Sequence, residues 1–220
     1  MYKLIILLFV GLSCESAAQI SKRTFASFDF KGKEVRYAIQ LPSDFDDTKS
    51  YPVAIGPSDV ESNDDQCHYW RGVKDTEGWI LLDFPIYKGN KILVSALFDH
   101  IRKKYNVEGN KFHAICFSAN SAGVFDLVMN MPDDFESITG VAGNPGSRDI
   151  EKLSKLKKVK VQFIVGDKDR YWMNAAKDRH ALLLEAGVAS QIEIIKNGPH
   201  VLNELVGKGV LSRMDKLRVK

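Results

Sequence analysis

The hydrophobic positions along the chain switch repeatedly between the period of a strand and the period of a helix. Residues 24–30 and 34–41 are rich in aromatic and β-branched side chains and lie on either side of Lys31-Gly32-Lys33, which predicts an antiparallel hairpin. From Tyr51 onward, short apolar runs alternate with segments whose apolar residues recur every three or four positions. This alternation predicts a sheet whose strands are connected by helices.

The later strands are apolar on both faces, as a parallel sheet covered by helices requires. They are predicted at residues 51–56, 79–85, 112–117, 137–143, 160–166 and 191–195. Helices are predicted around residues 94–105, 124–131, 149–156 and 172–187, and from about Leu202. The fold class is therefore an α/β three-layer sandwich with a mostly parallel sheet and an N-terminal antiparallel hairpin. Because no linker, repeat or low-complexity stretch interrupts the pattern, residues 19–220 are predicted to form one domain.

The first residues have the composition of a leader rather than of a folded element. Lys3 supplies a positive charge, residues 4–12 form an apolar run too short to span a bilayer, and Ser16-Ala17-Ala18 offers small residues for cleavage. This predicts a signal peptide over residues 1–18 and a secreted or periplasmic protein. A buried N-terminal strand and a short membrane anchor are the alternatives.

The three cysteines limit the redox and lipid chemistry of the chain. Cys14 hints at bacterial lipoprotein processing, but Gly11 stands where that signal prefers leucine, so anchoring is the minor alternative. Export would leave Cys67 and Cys116, which could form one disulfide. We expect both to be unpaired and Cys116 to be buried.

Composition excludes several classes of function. The 220 residues are 45% hydrophobic and 27% charged, which is typical of a globular protein. The net charge of +3 is small and the lysines are scattered, so nothing favours a nucleic-acid partner. No cysteine has metal-ligand spacing, and we predict neither a metal nor another cofactor.

The stretch KFHAICFSANSAG, residues 111–123, is typical of a nucleophile elbow: a strand, a sharp turn that carries a serine, and a helix. Ser118 stands at the end of the strand. Cys116 and Asn120 occupy the two positions that usually hold glycine. The turn can accept both residues, since cysteine is small and asparagine tolerates unusual backbone angles. Ser121 is the rival nucleophile. Its hydroxyl fits better in the first helical turn, where it could accept from a free backbone N–H.

A serine hydroxyl needs a base, and the base needs a carboxylate that orients it. Asp167 and Asp169 follow a later strand, and Asp169 is the better acid because it lies farther from the strand end. His200 lies in the loop after the last strand, behind a Gly-Pro turn, and His68 in a polar loop is its competitor. The order Ser, Asp, His is that of the α/β hydrolases.

These segments together resemble a known group of enzymes. The stretch KKYNVEGNKFHAICFSANSAG, the later MPDDF, GVAG, VGDKD and NGPH resemble, in order and spacing, the secreted α/β-hydrolase esterases: the polyhydroxybutyrate depolymerase and feruloyl or acetylxylan esterase group, with dienelactone hydrolases more distant. The register rests on Tyr105, Val107, Glu108 and Lys111. The resemblance covers nearly the whole predicted mature chain.

The resemblance implies a serine carboxylesterase-type hydrolase without a cofactor, acting on small acyl or plant-polysaccharide-type esters. Ser118 would attack the carbonyl carbon, His200 would transfer the proton, and Asp169 would orient the imidazole. The backbone N–H of Ala119 would be one oxyanion donor. The chain departs from the group after the third strand, where it reads AIGPSDVESNDD instead of carrying His-Gly, so the second donor is expected near Ser58 or Asp59.

Aromatic residues near these loops suggest a substrate pocket formed by Tyr69, Trp70 and Trp172. Two other functions are compatible with the same sequence. One is an inactive α/β-hydrolase-fold protein that binds a glycan or a protein through residues 56–72. The other is a serine peptidase that acts on small peptides.

Overall fold

The computed structural model describes residues 21–62 and 64–218. The predicted signal peptide over residues 1–18 and the lipidation alternative at Cys14 lie outside the described residues. Within the described part of the chain, no helix combines the length and the apolar content that a membrane span requires.

An eight-stranded sheet forms the centre of the molecule, with the spatial order β1-β2-β4-β3-β5-β6-β7-β8. Its strands are β1 (Arg23–Phe30), β2 (Lys33–Gln40), β3 (Tyr51–Pro57), β4 (Ile80–Phe84), β5 (Val107–Phe117), β6 (Phe135–Val141), β7 (Lys160–Gly166) and β8 (Ser190–Ile195). β2 runs antiparallel to both β1 and β4, and all other neighbours are parallel. The predicted hairpin and the mostly parallel sheet are confirmed.

In the described residues, five α-helices pack on the sheet: α1 (Lys91–Lys104), α2 (Ser121–Asn130), α3 (Ile150–Leu153), α4 (Arg170–Glu185) and α5 (Lys208–Met214). α1 to α4 cover one face, and α5 covers the other together with the loop between β3 and β4. β5 supplies both cores because its side chains alternate: Ala114 and Cys116 face the first group of helices, while Ile115 faces α5. The predicted three layers are confirmed.

Two sequence-based expectations were wrong in detail. The C-terminal helix begins at Lys208 rather than near Leu202, because Gly207 has a positive φ of 65° and interrupts the helical path. β8 has no fully buried residue, although we expected the later strands to be apolar and buried on both faces. It lies at the edge of the sheet, where only one strand neighbours it.

A buried carboxylate holds down the long loop between β3 and β4. Asp83 on β4 is 2% exposed and accepts hydrogen bonds from the Cys67 N–H (3.0 Å), the Trp70 indole N–H (2.9 Å) and the Arg23 guanidinium (2.7 Å). Burial raises the pKa of the Asp83 carboxyl, while these donors lower it. Gly56 allows the approach, since a Cβ there would lie 2.5 Å from the Trp70 ring. The loop is thereby fixed against the carboxyl end of β3.

The buried His113 on β5 should make the free energy of unfolding depend on pH. Burial lowers its pKa to about 3, and its Nδ1 lies 2.7 Å from the Ser137 hydroxyl. Between about pH 3 and 6.5, His113 is therefore protonated in the unfolded chain and neutral in the folded protein. This stabilising contribution is complete above pH 6.5 and is lost by about 1.4 kcal/mol per pH unit as the pH falls towards 3.

We expect His113→Gln to flatten the pH dependence of the free energy of unfolding between pH 6.5 and 4, since it removes the buried titrating group. Urea unfolding at several pH values measures the slope for both proteins. Equal slopes in the wild type and the variant would contradict the assignment.

Candidate active site

The chain makes a sharp turn at Ser118, between the end of β5 and the start of α2. Ser118 has a φ of 50°, in the left-handed region that non-glycine residues rarely adopt. Its N–H donates to the carbonyl oxygen of Ala142, which follows β6. The helix is held close by Gly123, where a Cβ would lie 2.2 Å from the Tyr87 carbonyl oxygen. The serine side chain is thereby raised at the carboxyl edge of the sheet.

Asn120 stabilises this turn through its side chain. Its Oδ1 accepts from the Phe117 N–H at 2.9 Å, closing the turn from the inside. Its backbone has ordinary helical angles, φ −78° and ψ −10°, so the tolerance for unusual angles that we invoked from the sequence is not what this position uses. Cys116 fits because it points into the core, 1% exposed. The elbow therefore forms without either of the usual glycines.

The rival serine is committed elsewhere. Ser121 is 1% exposed, and its hydroxyl donates to the Ser118 carbonyl oxygen at 2.6 Å. We expected this hydroxyl to accept from a free N–H; it donates to a carbonyl instead. Of the two serines, Ser118 is the one at the surface of the site.

A continuous hydrogen-bond chain links Ser118, His200 and Asp169. The Nε2 of His200 lies 2.9 Å from the Ser118 Oγ, and its Nδ1 lies 2.5 Å from the Asp169 Oδ2. Asp169 caps the N-terminus of α4, where its Oδ1 accepts from the Trp172 N–H at 3.4 Å. This cap orients the carboxylate at the start of α4. Three side chains distant in sequence thus meet within hydrogen-bond reach.

Two glycines bring the acid loop and the base loop together. A Cβ on Gly166 would lie 2.1 Å from the Gly198 carbonyl oxygen, so these backbones cross in direct contact. The Lys168 N–H donates to that same carbonyl at 3.0 Å. The relative position of Asp169 and His200 is therefore set by backbone contacts as well as by their own hydrogen bond.

Two aromatic rings lie against His200. The Phe117 ring is 5.1 Å from the imidazole, centroid to centroid, with the planes 34° apart. The Trp172 ring is 6.1 Å away with the planes 29° apart. The competing histidine, His68, stacks on the Phe117 ring at 5.5 Å, and its Nε2 is buried with no hydrogen-bond partner among the described residues. His200 is the imidazole that reaches Ser118.

Of the two residues expected to supply the second oxyanion donor, Ser58 is excluded by the structure. The Ser58 N–H donates to the Phe84 carbonyl oxygen at 3.2 Å, extending the β3–β4 ladder, so it is not free for a substrate. The Val60 N–H donates to the Ser58 hydroxyl at 3.0 Å. Among the described residues, the Asp59 N–H has no acceptor. Ala119 follows Ser118 directly in the short helical turn before α2, where N–H groups lack intrahelical partners.

A hollow of about 400 Å³ opens beside Ser118 and is lined by Tyr87, Phe117, Ser118, Ala119 and Asn120. Behind this lining, the Tyr87 hydroxyl donates to the Asp59 carboxylate at 2.8 Å, and the Lys88 ammonium donates to the same carboxylate at 2.6 Å. Lys88 and then Tyr87 hold the pKa of Asp59 below its usual value. The negative charge that could repel an oxyanion is thus paired.

Two of the three predicted pocket residues are wrong. Tyr69 is 0% exposed and Trp70 is 1% exposed, and both pack in the core under α5, so neither can contact a substrate. Their aromatic area is used to fill the core between the sheet and α5. Trp172 is partly exposed beside His200 and stays a candidate.

The cysteine expectation is confirmed, since Cys67 and Cys116 are both unpaired and buried. They belong to the cores on opposite faces of the sheet. Burial raises the pKa of both thiols, which keeps them protonated. In the described part of the chain, no group of three or more His, Cys, Asp or Glu side chains could hold a metal ion.

Sequence reasoning missed several residues that shape the site: Tyr87, Gly123, Gly166 and Gly198. Gly166 is the last residue of β7 and Gly198 lies in the loop after β8, so glycines at or soon after strand ends were the available signal for these two. Nothing in the sequence pairs Gly166 with Gly198, because their contact joins two separate loops.

Solved structures with similar architecture include an isopeptidase and two ester or lactone hydrolases. AtxE2 isopeptidase in its apo form has a TM-score of 0.68 at 12% identity, over 90% of this chain and 39% of that chain. A mutant of the feruloyl esterase module from Clostridium thermocellum, complexed with sinapinate, has a TM-score of 0.66 at 10% identity, over 88% of each chain. Dienelactone hydrolase from Anabaena variabilis has a TM-score of 0.59 at 14% identity, over 90% of this chain and 94% of that chain.

No protein-family model matches the chain, and no curated protein matches it. The chain spans about two fifths of the isopeptidase and 62% of a thermostable esterase that it also resembles. At these identities the likeness is evidence about fold. Together with the strand order, it shows that the chain has the α/β-hydrolase fold.

We expect Asn120→Ala to lower the free energy of unfolding by about 1–2 kcal/mol, because the partly buried Phe117 N–H loses its acceptor. Asn120→Asp is the matched control, since it keeps an oxygen at the same position. Urea unfolding followed by circular dichroism compares the three proteins. If the alanine and aspartate variants are equally stable, the side-chain acceptor is not what stabilises the turn.

Proposed function

We propose that this protein is an exported serine hydrolase that cleaves carboxylic esters. The observation that carries the proposal is the hydrogen-bond chain from the Ser118 Oγ through His200 to Asp169, with distances of 2.9 and 2.5 Å. The positive φ of Ser118 adds support, because backbone strain at a catalytic residue is a known feature of nucleophile elbows. The solved structures with the same fold include feruloyl esterases and a dienelactone hydrolase.

Each residue has a defined part in the proposed reaction. The Ser118 oxygen attacks the ester carbonyl carbon while its proton moves to the Nε2 of His200. Asp169 orients the imidazole and stabilises the imidazolium that forms. His200 then gives the proton to the departing alkoxide, which leaves an acyl-serine. Water, deprotonated by His200, attacks this acyl group and releases the carboxylic acid and the free serine hydroxyl.

The oxyanion in this mechanism needs two donors. We assign them to the Ala119 N–H and the Asp59 N–H. Asp59 replaces Ser58, whose N–H is used within the sheet. The Asp59 carboxylate is engaged by Tyr87 and Lys88, which would hold the adjacent peptide in place. Because both N–H groups would already be in position, they need not reorganise as negative charge develops on the carbonyl oxygen.

The substrate would be a small acyl ester or a plant-polysaccharide-type ester. The hollow beside Ser118 is about 400 Å³ and lies open at the surface, which suits a short acyl group or an ester that projects from a larger chain. Export through the leader at residues 1–18 would bring the protein to such substrates, and residues 19–220 would act as one domain without a cofactor. Lipid anchoring at Cys14 is the less favoured form.

A small-peptide serine peptidase is the second candidate, because the same three side chains can cleave an amide and AtxE2 isopeptidase has the same fold. The inactive binding protein that the sequence left open has less support. It was motivated by the missing His-Gly and by the elbow without glycines, and the Asn120 hydrogen bond accounts for how that elbow forms.

Ester hydrolysis and serine labelling test the proposal directly. Purified protein should release 4-nitrophenol from 4-nitrophenyl acetate, and a fluorophosphonate should label one residue, Ser118, identified by mass spectrometry. Ser118→Ala should lose both signals, because the nucleophile is gone, with a drop in turnover of about 10³-fold or more. Ser121→Ala is the matched control and should keep both. Full activity in the Ser118 variant would exclude this nucleophile.

The Asp59 donor has its own test. Asp59→Pro should lower kcat about 100-fold, since proline removes the N–H that we assign to the oxyanion. Asp59→Ala removes the carboxylate but keeps the N–H, and it should lose much less. Steady-state kinetics on one short-chain ester measures both. An equal loss in the two variants would show that the side chain, rather than the N–H, matters.

A further inference from the structure

We propose that Trp172 is a positioning residue for the base: its indole ring holds the imidazole of His200 in the plane that reaches both Asp169 and Ser118. This inference rests on the proposed serine hydrolase function. It also changes the role of Trp172, which the sequence suggested as a wall of the substrate pocket.

The base needs lateral support because the core does not supply it. The His200 side chain is 39% exposed and lies in the loop after β8. The glycine contact fixes the backbone of that loop. It does not fix the ring, because the torsion that turns an imidazole is broad. Hydrogen bonds at Nδ1 and Nε2 define the ring direction only while both partners stay in place.

Trp172 contacts both members of the acid–base pair. Its backbone N–H donates to the Asp169 Oδ1, while the Oδ2 of the same carboxylate binds the His200 Nδ1. Its ring lies 6.1 Å from the imidazole at 29°, within the range of a favourable offset aromatic pair. One residue in the first turn of α4 therefore orients the carboxylate and restrains the ring that the carboxylate binds.

The partner ring comes from the elbow itself. Phe117 lies 5.1 Å from His200 and also stacks on His68, at 5.5 Å and 18°. Burial, with a smaller effect of Arg71, lowers the pKa of His68, so this outer imidazole is neutral near pH 7. When His200 accepts the serine proton, it becomes the cation of the cluster, and two π-faces favour that charge. The contact therefore strengthens as the reaction proceeds.

Kinetics of Trp172→Leu test the proposal on 4-nitrophenyl acetate and butyrate. We expect kcat to fall about 2- to 10-fold, equally for both esters, as for the loss of one aromatic pair, with KM changed less than about twofold. Trp172→Phe should recover most of the activity, because it restores a ring. Tyr171→Ala is the matched control: its ring is 74% exposed and touches Trp172 edge-on, and kcat should change less than about twofold.

Proton NMR gives a readout that does not need turnover. The short Nδ1–H bond between His200 and Asp169 should give a low-field proton resonance, broadened or lost in Trp172→Leu and kept in Trp172→Phe. If the resonance behaves this way in the three proteins but the wild type hydrolyses no ester, the proposed function fails and the positioning role stands. If Trp172→Leu does not fold, Trp172→Met replaces it.

Unchanged kcat together with an unchanged resonance would overturn the inference. A change confined to KM that differs between acetate and butyrate would also overturn it, because it would place Trp172 against the acyl group instead of the base.

Discussion

The left-handed backbone of Ser118 is the constraint on which the site depends. A strand that ends in this conformation cannot continue, so the chain reverses into α2 and leaves the serine side chain at the carboxyl edge of the sheet. Such a conformation persists only when its surroundings determine it. Three contacts hold it here: the hydrogen bond from the Phe117 N–H to Asn120, the hydrogen bond from the Ser118 N–H to Ala142, and the close approach of Gly123 to Tyr87.

His200 and Asp169 are held near this serine by a different kind of constraint. They stand on loops after β8 and β7, and loops do not by themselves hold side chains to within a few tenths of an ångström. The crossing of Gly166 and Gly198 joins the two loops through their backbones. The start of α4 then directs the carboxylate through a cap, with Trp172 next to it. The start of α4 and the crossing of the two backbones thus fix the positions of Asp169 and His200, which elsewhere in the molecule is done by burial in the core.

The loop between β3 and β4 packs against the site through His68, which stacks on Phe117. Asp83 is buried and accepts three donors, two of them from that loop, which ties Cys67 and Trp70 to the sheet. The cost of burying the charge is offset by these hydrogen bonds. Tyr69 and Trp70 are buried in the core that α5 covers. Tyr87, which lines the hollow beside Ser118, holds the Asp59 carboxylate at the start of the loop.

The sequence alone determined the order of strands and helices, because the period of apolar positions depends only on neighbours along the chain. It also selected Ser118, Asp169 and His200, since parallel strands bring their carboxyl ends to one edge and each residue follows such an end. Tertiary structure decided the rest. Whether the Ser58 N–H is free depends on Phe84, whether Tyr69 is exposed depends on α5, and the Gly166–Gly198 crossing depends on two separate loops. Each of these is a contact between segments far apart in the chain, where several partners compete for the same group, and only the folded arrangement determines which partner is nearest.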